Sequence, residues 1–231
     1  MIEIVWGIIA ALKEELELLT GKMEEKRVTK LAGFDYYRGR IFGVELVAVQ
    51  SSIGKVNAAI CADILAREFE VTHMVNVGVA GAADPSLSVF DVVISDEMVY
   101  HDIDLEMYTR YFPFMSAFPA DKGLITACTS VLEEMEGRPF RYKVGRIATG
   151  DIFVEDPALK QSIIQKVNPL CVEMEGAAVA QVAVSYGLPF IVIRSMSDNA
   201  DGDGAVSFDA FLPQAAKYSA AILLKLIEKI K

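Results

Sequence analysis

Short apolar runs alternate with helix-patterned segments along most of this chain, and that alternation restricts the fold more than any other feature. "IEIVWGII" reads as a strand, and the "ALKEELELL" that follows spaces its leucines three and four apart, as one face of a helix requires. "KVNAAICADILAREF" is an amphipathic helix. It leads into "THMVNVGVAGAA", which reads as a buried strand ending in a glycine-rich turn at Gly78–Gly81. "VFDVVISDEMVY" and "KVGRIATGDIFV" add strands, the second closing in a turn, and "LCVEMEGAAVAQVAVSYGLPFIVIRSMSD" gives strand, helix and strand in succession. Strands joined by helical crossovers imply an α/β fold with a mainly parallel or mixed central sheet flanked by helices.

The punctuation agrees with this pattern. Asp156 suits a helix N-cap with Pro157 at the first helical position, while Gly187 suits a position just past a helix end, where Pro189 blocks continuation. "GFDYYRGRIFGVELVAVQSS" reads as a hairpin or meander. A final helix runs from about Ser207, with Phe211, Ala215, Tyr218, Ile222, Leu226 and Ile230 as its apolar stripe. Residues 105–123, rich in Phe and Tyr with two prolines, are the least regular part and read as a loop that is packed against something or belongs to a site.

At 231 residues the chain is long enough for one α/β domain with a large core, and with no linker or internal repeat residues 1–231 read as a single domain. Hydrophobic residues make up 53%, which excludes a disordered chain, and the net charge of −10 offers nothing to nucleic acid or an anionic membrane. A small-molecule partner is expected instead. Cys61, Cys128 and Cys171 lack CxxC spacing and sit in apolar settings, as reduced core thiols of a cytoplasmic protein would. No basic region precedes the apolar N-terminus, and no run approaches the roughly 18 residues of a membrane span.

Acids recur where the predicted strands end, and ligands of open α/β sheets bind at those ends. Glu15 follows the first strand, Glu173 and Glu175 end "LCVEME", and Asp198 ends "FIVIRSMSD". In extended backbone, Glu173 and Glu175 would face one side and Met174 the other. Each acid alone also has a bland reading: Glu175 as a helix-dipole cap, Asp198 as a turn residue, Glu15 as part of a solvated helix face. Separated carboxylates are nevertheless what hydrolysis at an acetal-like carbon needs, one as acid for the leaving group and one as base for water.

Other motifs fail on inspection. Gly54-Lys55 is not a P-loop, since Val49 and Val56 stand where Gly and Ser/Thr are required. "GVAGAA" is not GxGxxG, and no GxSxG elbow is present. His101, Asp102 and Asp104 could suggest a metal, but the chain has two histidines and no HExxH.

Together and in order, "GIIAALKEELELL", "SSIGKVNAA", "NVGVAGA", "YHDIDL", "TGDIFV", "VEMEGAAVAQVA", "IRSMSDNAD" and "SFDAFL" closely resemble the 5′-methylthioadenosine/S-adenosylhomocysteine nucleosidases of the nucleoside phosphorylase-like superfamily. The resemblance covers essentially the whole chain. It implies a three-layer α/β/α domain that hydrolyses an N-glycosidic bond to release adenine and a 5-thioribose product, without metal or cofactor. By position it makes Glu15 the activator of water and Asp198 the acid that protonates adenine N7, with Ser197 helping to place Asp198. Glu175 would bind the ribose hydroxyls, Met174 would pack on the sugar, and Glu173 would support them. Phe153 would stack on adenine, the Val154 backbone would read its edge, Ile53, Ala80 and Gly81 would wall the pocket, and Arg194 would lie near the water. Tyr108 matches an aromatic that crosses into the neighbouring subunit's 5′-thio pocket, which implies a homodimer.

The sequence departs from the pattern in three places. Val79 stands where some relatives have Ser, Tyr108 replaces a frequent Phe, and residues 109–120 are compressed, which leaves the 5′ substituent open. Three rivals remain. A phosphorolytic relative would need phosphate beside Glu15, whose charge would repel it. A sister hydrolase would act on futalosine or 5′-deoxyadenosine, and a binding protein would hold nucleosides without turnover.

Overall fold

The structure, a computed structural model, describes residues 4–200 and 204–230. One mixed sheet runs through the chain. Its strands are β1 (Val5–Ala10), β2 (Glu24–Leu31), β3 (Phe34–Ile41), β4 (Val44–Gln50), β5 (His73–Ala82), β6 (Val92–Tyr100), β7 (Ala117–Pro119), β8 (Tyr142–Thr149), β9 (Cys171–Glu173) and β10 (Phe190–Asp198). The helices are α1 (Lys13–Thr20), α2 (Lys55–Glu68), α3 (Leu105–Arg110), α4 (Lys122–Glu134), α5 (Pro157–Val167), α6 (Gly176–Ser185) and α7 (Gly204–Ile230).

The central strands are buried on both faces and so lack polar alternation. Along β1, Trp6 and Ile8 point to one core while Ile9 points to the other. β10 behaves likewise, with Ile191 and Ile193 on the first side and Phe190, Val192 and Met196 on the second. Helices α1, α4 and α7 cover the first face; α2 and α6 cover the second. That gives the three layers implied by the sequence. β1 pairs in parallel with β4 and β5, β5 with β10, and β8 with β6 and β9, while β3 and β4 form the expected antiparallel hairpin, to which β2 adds on the β3 side.

The sheet is not a simple open one. β5 pairs with both β9 and β10, β10 with β6, and β6 and β9 with β8, so these five strands close a ring. The strands β1, β4, β3 and β2 extend from it as an open wing. Closure brings the ends of β5, β8, β9 and β10 together.

Several local expectations change. β5 runs through Ala82, so Gly78–Gly81 is strand and not a turn. The stretch read as a loop at 105–123 contains α3 and β7, and α4 begins at its end. Helix α4 was not anticipated, although Leu124, Cys128, Val131 and Leu132 carry a helical spacing. Nor was β2, an almost wholly exposed strand whose charged residues show no alternation and which exists through pairing with β3. The last helix starts at Gly204, ahead of Ser207, and its stripe residues Ala215, Ile222 and Leu226 are fully buried. Asp201 of the "SDNAD" motif lies outside the described residues, as do Ile2 and Glu3 of the first strand pattern.

Other punctuation holds. Asp156 caps α5 by accepting the Ala158 N–H at 2.9 Å, with Pro157 at the first position. Gly187 has φ +66°, the left-handed geometry that ends α6. The three cysteines are free and buried. Among the described residues no helix is long and apolar enough to cross a membrane.

Candidate active site

A cavity of about 400 Å³ opens where the carboxyl ends of β1, β5, β9 and β10 converge. Glu15, Ile53, Ala80, Gly81, Phe153, Val154, Glu173, Met174, Glu175, Ser197 and Asp198 all line it. Arg194 and Tyr108 do not. The lining also includes Ala11, Leu12, Ile152, Val172, Phe208 and Asp209, none of which the sequence singled out. These are mostly apolar residues on loops or element ends, where no periodicity marks one wall residue from another.

Glu15 is not on a solvated face; it is 3% exposed. It occupies the third position of α1, and its carboxylate turns back over the helix start. Oε2 accepts the Leu12 N–H at 2.8 Å and Oε1 accepts the Val79 N–H at 3.1 Å. Leu12 has no side-chain acceptor of its own, so Glu15 supplies the missing helix-start acceptor. Burial pushes the Glu15 carboxyl above its ordinary value, against the pull of the Arg194 charge and the two amides. Gly78 makes this placement possible. A Cβ there would lie 2.6 Å from Glu15 Oε1 and 3.3 Å from Arg194 Nη1.

Glu173 and Glu175 differ more than their spacing suggests. The strand ends at Glu173 and the backbone then bends, so Met174 reaches the same cavity as both acids and the expected alternation does not hold. The dipole-cap role that was the bland alternative for Glu175 belongs to Glu173. Glu173 Oε2 accepts the N–H groups of Glu175 at 3.0 Å and Gly176 at 2.7 Å, at the start of α6. Glu173 Oε1 accepts the hydroxyl of Thr149, whose oxygen in turn accepts the Ala177 N–H at 2.8 Å. Glu175 makes no side-chain cap; its Oε1 accepts the Gly54 N–H at 2.8 Å across the cavity. Burial, helped by the neighbouring Glu173 charge, raises the Glu175 carboxyl well above the ordinary carboxylate range.

Arg194 lies behind the cavity wall and holds these acids. Its Nη2 bonds to Glu173 Oε2 and to Asn76 Oδ1, and lies 3.8 Å from Glu175 Oε2. Asn76 donates to the Ile9 carbonyl at 3.0 Å, which ties the group to β1. Parallel pairing sets Arg194 opposite Gly78 and Val192 opposite Asn76, so alternation puts Arg194 and Asn76 on one face. Burial opposes the charge on Arg194, but Glu173, Glu175 and Glu15 offset it and hold the guanidinium ionised. Neither Asn76 nor Thr149 was singled out from sequence; Asn76 is a fully buried polar residue within the apolar run of β5, and that intrusion is a signal, whereas β8 also carries Lys143 and Arg146 and so does not mark Thr149.

Asp198, 2% exposed, ends β10. Its Oδ2 accepts from the Ser197 hydroxyl at 2.8 Å and its Oδ1 from the Ala200 N–H at 2.7 Å. It is paired with Gly81, where a Cβ would come within 2.7 Å of Oδ1. Phe153 meets Phe208 edge-on at 5.7 Å over the mouth, and Ile53, Ile152 and Phe153 are substantially exposed. Tyr108 sits in α3 against Tyr100, ring centroids 5.6 Å apart, and lines a separate groove. Asp104 caps α3 and Asp102 pairs with Lys55, so the "HDID" acids are engaged in holding backbone and lysine.

Replacing Arg194 with Met would leave Glu173 buried without its counter-charge. We expect a loss of about 3–5 kcal/mol in urea unfolding at neutral pH, as for other broken buried pairs. A loss under about 1 kcal/mol would mean that the helix-start amides alone hold Glu173.

Comparison with known proteins places this geometry. The family model of the phosphorylase superfamily matches residues 6–228. The 5′-methylthioadenosine/S-adenosylhomocysteine nucleosidase of Geobacillus thermodenitrificans is 40% identical over 230 residues, covering 97% of both chains. The nucleosidase of the same description from Colwellia psychrerythraea 34H, solved in complex with adenine, superposes with a TM-score of 0.94 at 35% identity, covering 99% of this chain and 96% of that one. Futalosine hydrolase of Helicobacter pylori superposes with a TM-score of 0.89 at 30% identity, covering 97% of each. The chain belongs to the phosphorylase superfamily and, within it, to the 5′-methylthioadenosine/S-adenosylhomocysteine nucleosidases.

Proposed function

We propose that this chain hydrolyses the N-glycosidic bond of 5′-methylthioadenosine and S-adenosylhomocysteine, and also of 5′-deoxyadenosine, releasing adenine and the 5-substituted ribose. Such a reaction serves methionine salvage and the recycling of S-adenosylmethionine by-products in the cytoplasm. The observation that carries the reading is one cavity with Glu15, Glu175 and Asp198 on separate elements, each buried and each held by backbone or hydroxyl donors.

The chemistry follows from those settings. Glu15 takes a proton from water as the water oxygen bonds to C1′. The C1′–N9 bond breaks, its electrons pass into the adenine ring, and Asp198 delivers a proton to N7 so that the base leaves neutral. Ser197 orients the Asp198 carboxyl. Glu175 holds the ribose hydroxyls, Met174 packs on the sugar, and Glu173 fixes the turn that presents them. Phe153 stacks on adenine, the Val154 backbone reads its edge, and Ile53, Ala80 and Gly81 complete the wall. Three carboxylates around one guanidinium leave the site electron-rich, which favours the positive charge that develops on the ribose.

The same reading takes the protein to be a homodimer. The groove beside α3 is lined by Tyr108, Phe112, Tyr100 and Tyr186, and Val56, Tyr111, Phe112 and Phe114 are exposed nearby. A second copy covering that face would bring its Tyr108 to the neighbour's 5′ pocket, beside the open edge at Ile53 and Ile152.

Adenine should be released from methylthioadenosine in phosphate-free buffer; an absolute phosphate requirement would sink the hydrolytic reading. In that assay Asp198→Asn should lower kcat by about 10²–10⁴-fold with substrate affinity retained, and a wild-type kcat would remove Asp198 from its role. A panel including futalosine, compared by kcat/KM, separates the sister hydrolase.

The base must be ionised, and burial holds the Glu15 carboxyl above its ordinary value of 4.5. Activity is therefore lost as pH falls through that raised value. The acid limb of kcat/KM should lie above pH 4.5; a limb at or below it would mean that another group is the base.

The wild-type chain should sediment as a dimer, and Tyr108→Ala should raise KM for methylthioadenosine while sparing affinity for free adenine. A fully active monomer would exclude the trans-subunit role.

A further inference from the structure

Three short segments from distant parts of the chain meet at the cavity mouth. Residues 51–54 lead from β4 into α2, residues 101–104 leave β6, and residues 150–156 leave β8. Lys55 opens α2, and its ammonium lies 2.6 Å from Asp102 Oδ2 and 3.6 Å from Asp151 Oδ2. Both aspartates also bind backbone. Asp151 Oδ1 accepts the Lys55 N–H at 2.8 Å, and Asp102 Oδ2 accepts the Asp151 N–H at 2.9 Å. Each segment is thus tied to the other two by charge-assisted bonds. Lys166 of α5 anchors the 101–104 segment from the far side, donating to the carbonyls of His101 and Ile103 at 2.7 Å each.

Exposed ion pairs contribute little, and Asp151 is 46% exposed, but Lys55 and Asp102 are mostly covered, at 19% and 16%. Their bonds form a closed network that includes two backbone amides, so no member can move alone. Both sides of the site depend on that network. The residue before Lys55 is Gly54, whose N–H donates to Glu175. Gly54 has φ +102°, and a Cβ on it would lie 3.3 Å from Asp151 Oδ1, so the approach of the two segments requires glycine. The residues after Asp151 are Ile152, Phe153 and Val154 of the cavity wall.

We infer that Lys55, Asp102 and Asp151 form a clasp that sets the Ile152–Val154 wall against the base and the Gly54 N–H against Glu175. They are positioning residues of the reaction. The inference rests on the proposed reading that this cavity takes adenine nucleosides.

The test measures free adenine affinity, KM, kcat and thermal stability for Lys55→Met, Asp102→Asn and the double variant. Each single change should weaken adenine binding about tenfold, with kcat falling less than affinity and the melting temperature nearly unchanged. The double variant should also lose about tenfold rather than about a hundredfold, since either change opens the same clasp. Lys55→Arg, which still spans both carboxylates, should bind adenine within about threefold of wild type. Single variants within about twofold of wild type, or losses that multiply in the double variant, would overturn the clasp. Hydrogen exchange in the unaltered protein gives a second reading that needs no variant to fold. The Lys55 and Asp151 amides should exchange slowly, and exchange as fast as at exposed loops would also overturn it. A wild-type chain that binds no adenine but protects these amides would defeat the functional reading and leave the clasp standing.

Discussion

The site depends on one buried guanidinium. Arg194 stands among Glu173, Glu175 and Glu15, so a single positive charge answers three carboxylates in a region closed to solvent. Such a deficit costs stability, and a chain selected for stability alone would place apolar residues there. Burial pushes Glu15 and Glu175 toward the protonated form, helped at Glu175 by the Glu173 and Glu15 charges, while Arg194 and backbone donors pull them toward the charged form. Burial outweighs those donors at both acids, so each carboxyl lies above its ordinary value. In the proposed reaction a substrate that becomes positive at C1′ would supply the missing charge at the moment of bond cleavage, and the excess of carboxylate would then be favourable.

The surrounding fold makes that arrangement possible through register and through absent side chains. Parallel pairing of β5 with β10 puts Gly78 opposite Arg194 and Gly81 beside Asp198. Both glycines lie within a buried strand, where they weaken β structure for no packing gain. Their use is space: a Cβ at either would collide with a carboxylate oxygen of Glu15 or Asp198. Closure of five strands into a ring then brings the ends of β8 and β9 round to the same cavity, so Thr149 and Glu173 reach the start of α6 from the side.

Most of the layers and nearly all cavity-lining acids were legible in the sequence, because central strands and strand ends carry strong local signals. β1, β5 and β10 announce themselves as apolar runs, and Asp156–Pro157 announces α5. What was not legible depended on long-range partners. β2 has no apolar face of its own and is defined by β3. Alternation alone put Met174 opposite the acids, because it was extended past Glu173, where the backbone bends; the family resemblance put it at the site, and it lines the cavity. The capping role passed from Glu175 to Glu173 for the same reason. Arg194 was expected near the water; Asn76 and Glu173 hold it behind the wall, and only the strand register reveals that Arg194 and Asn76 share a face.

Glu173 and Glu175 show how neighbouring identical residues acquire different chemistry. Glu173 receives two amide protons at a helix start and a guanidinium on Oε2, and a threonine hydroxyl on Oε1. It can hold backbone but has little capacity left for a ligand. Glu175 receives one amide from Gly54 and the guanidinium only at 3.8 Å, so one oxygen remains open to the cavity. The acid that is least satisfied by the protein is the one that the proposed reading gives to the sugar. Its burial beside the Glu173 charge is also why its carboxyl resists ionisation. The Lys55–Asp102–Asp151 clasp bears on this balance, because it places the single amide that Glu175 does receive.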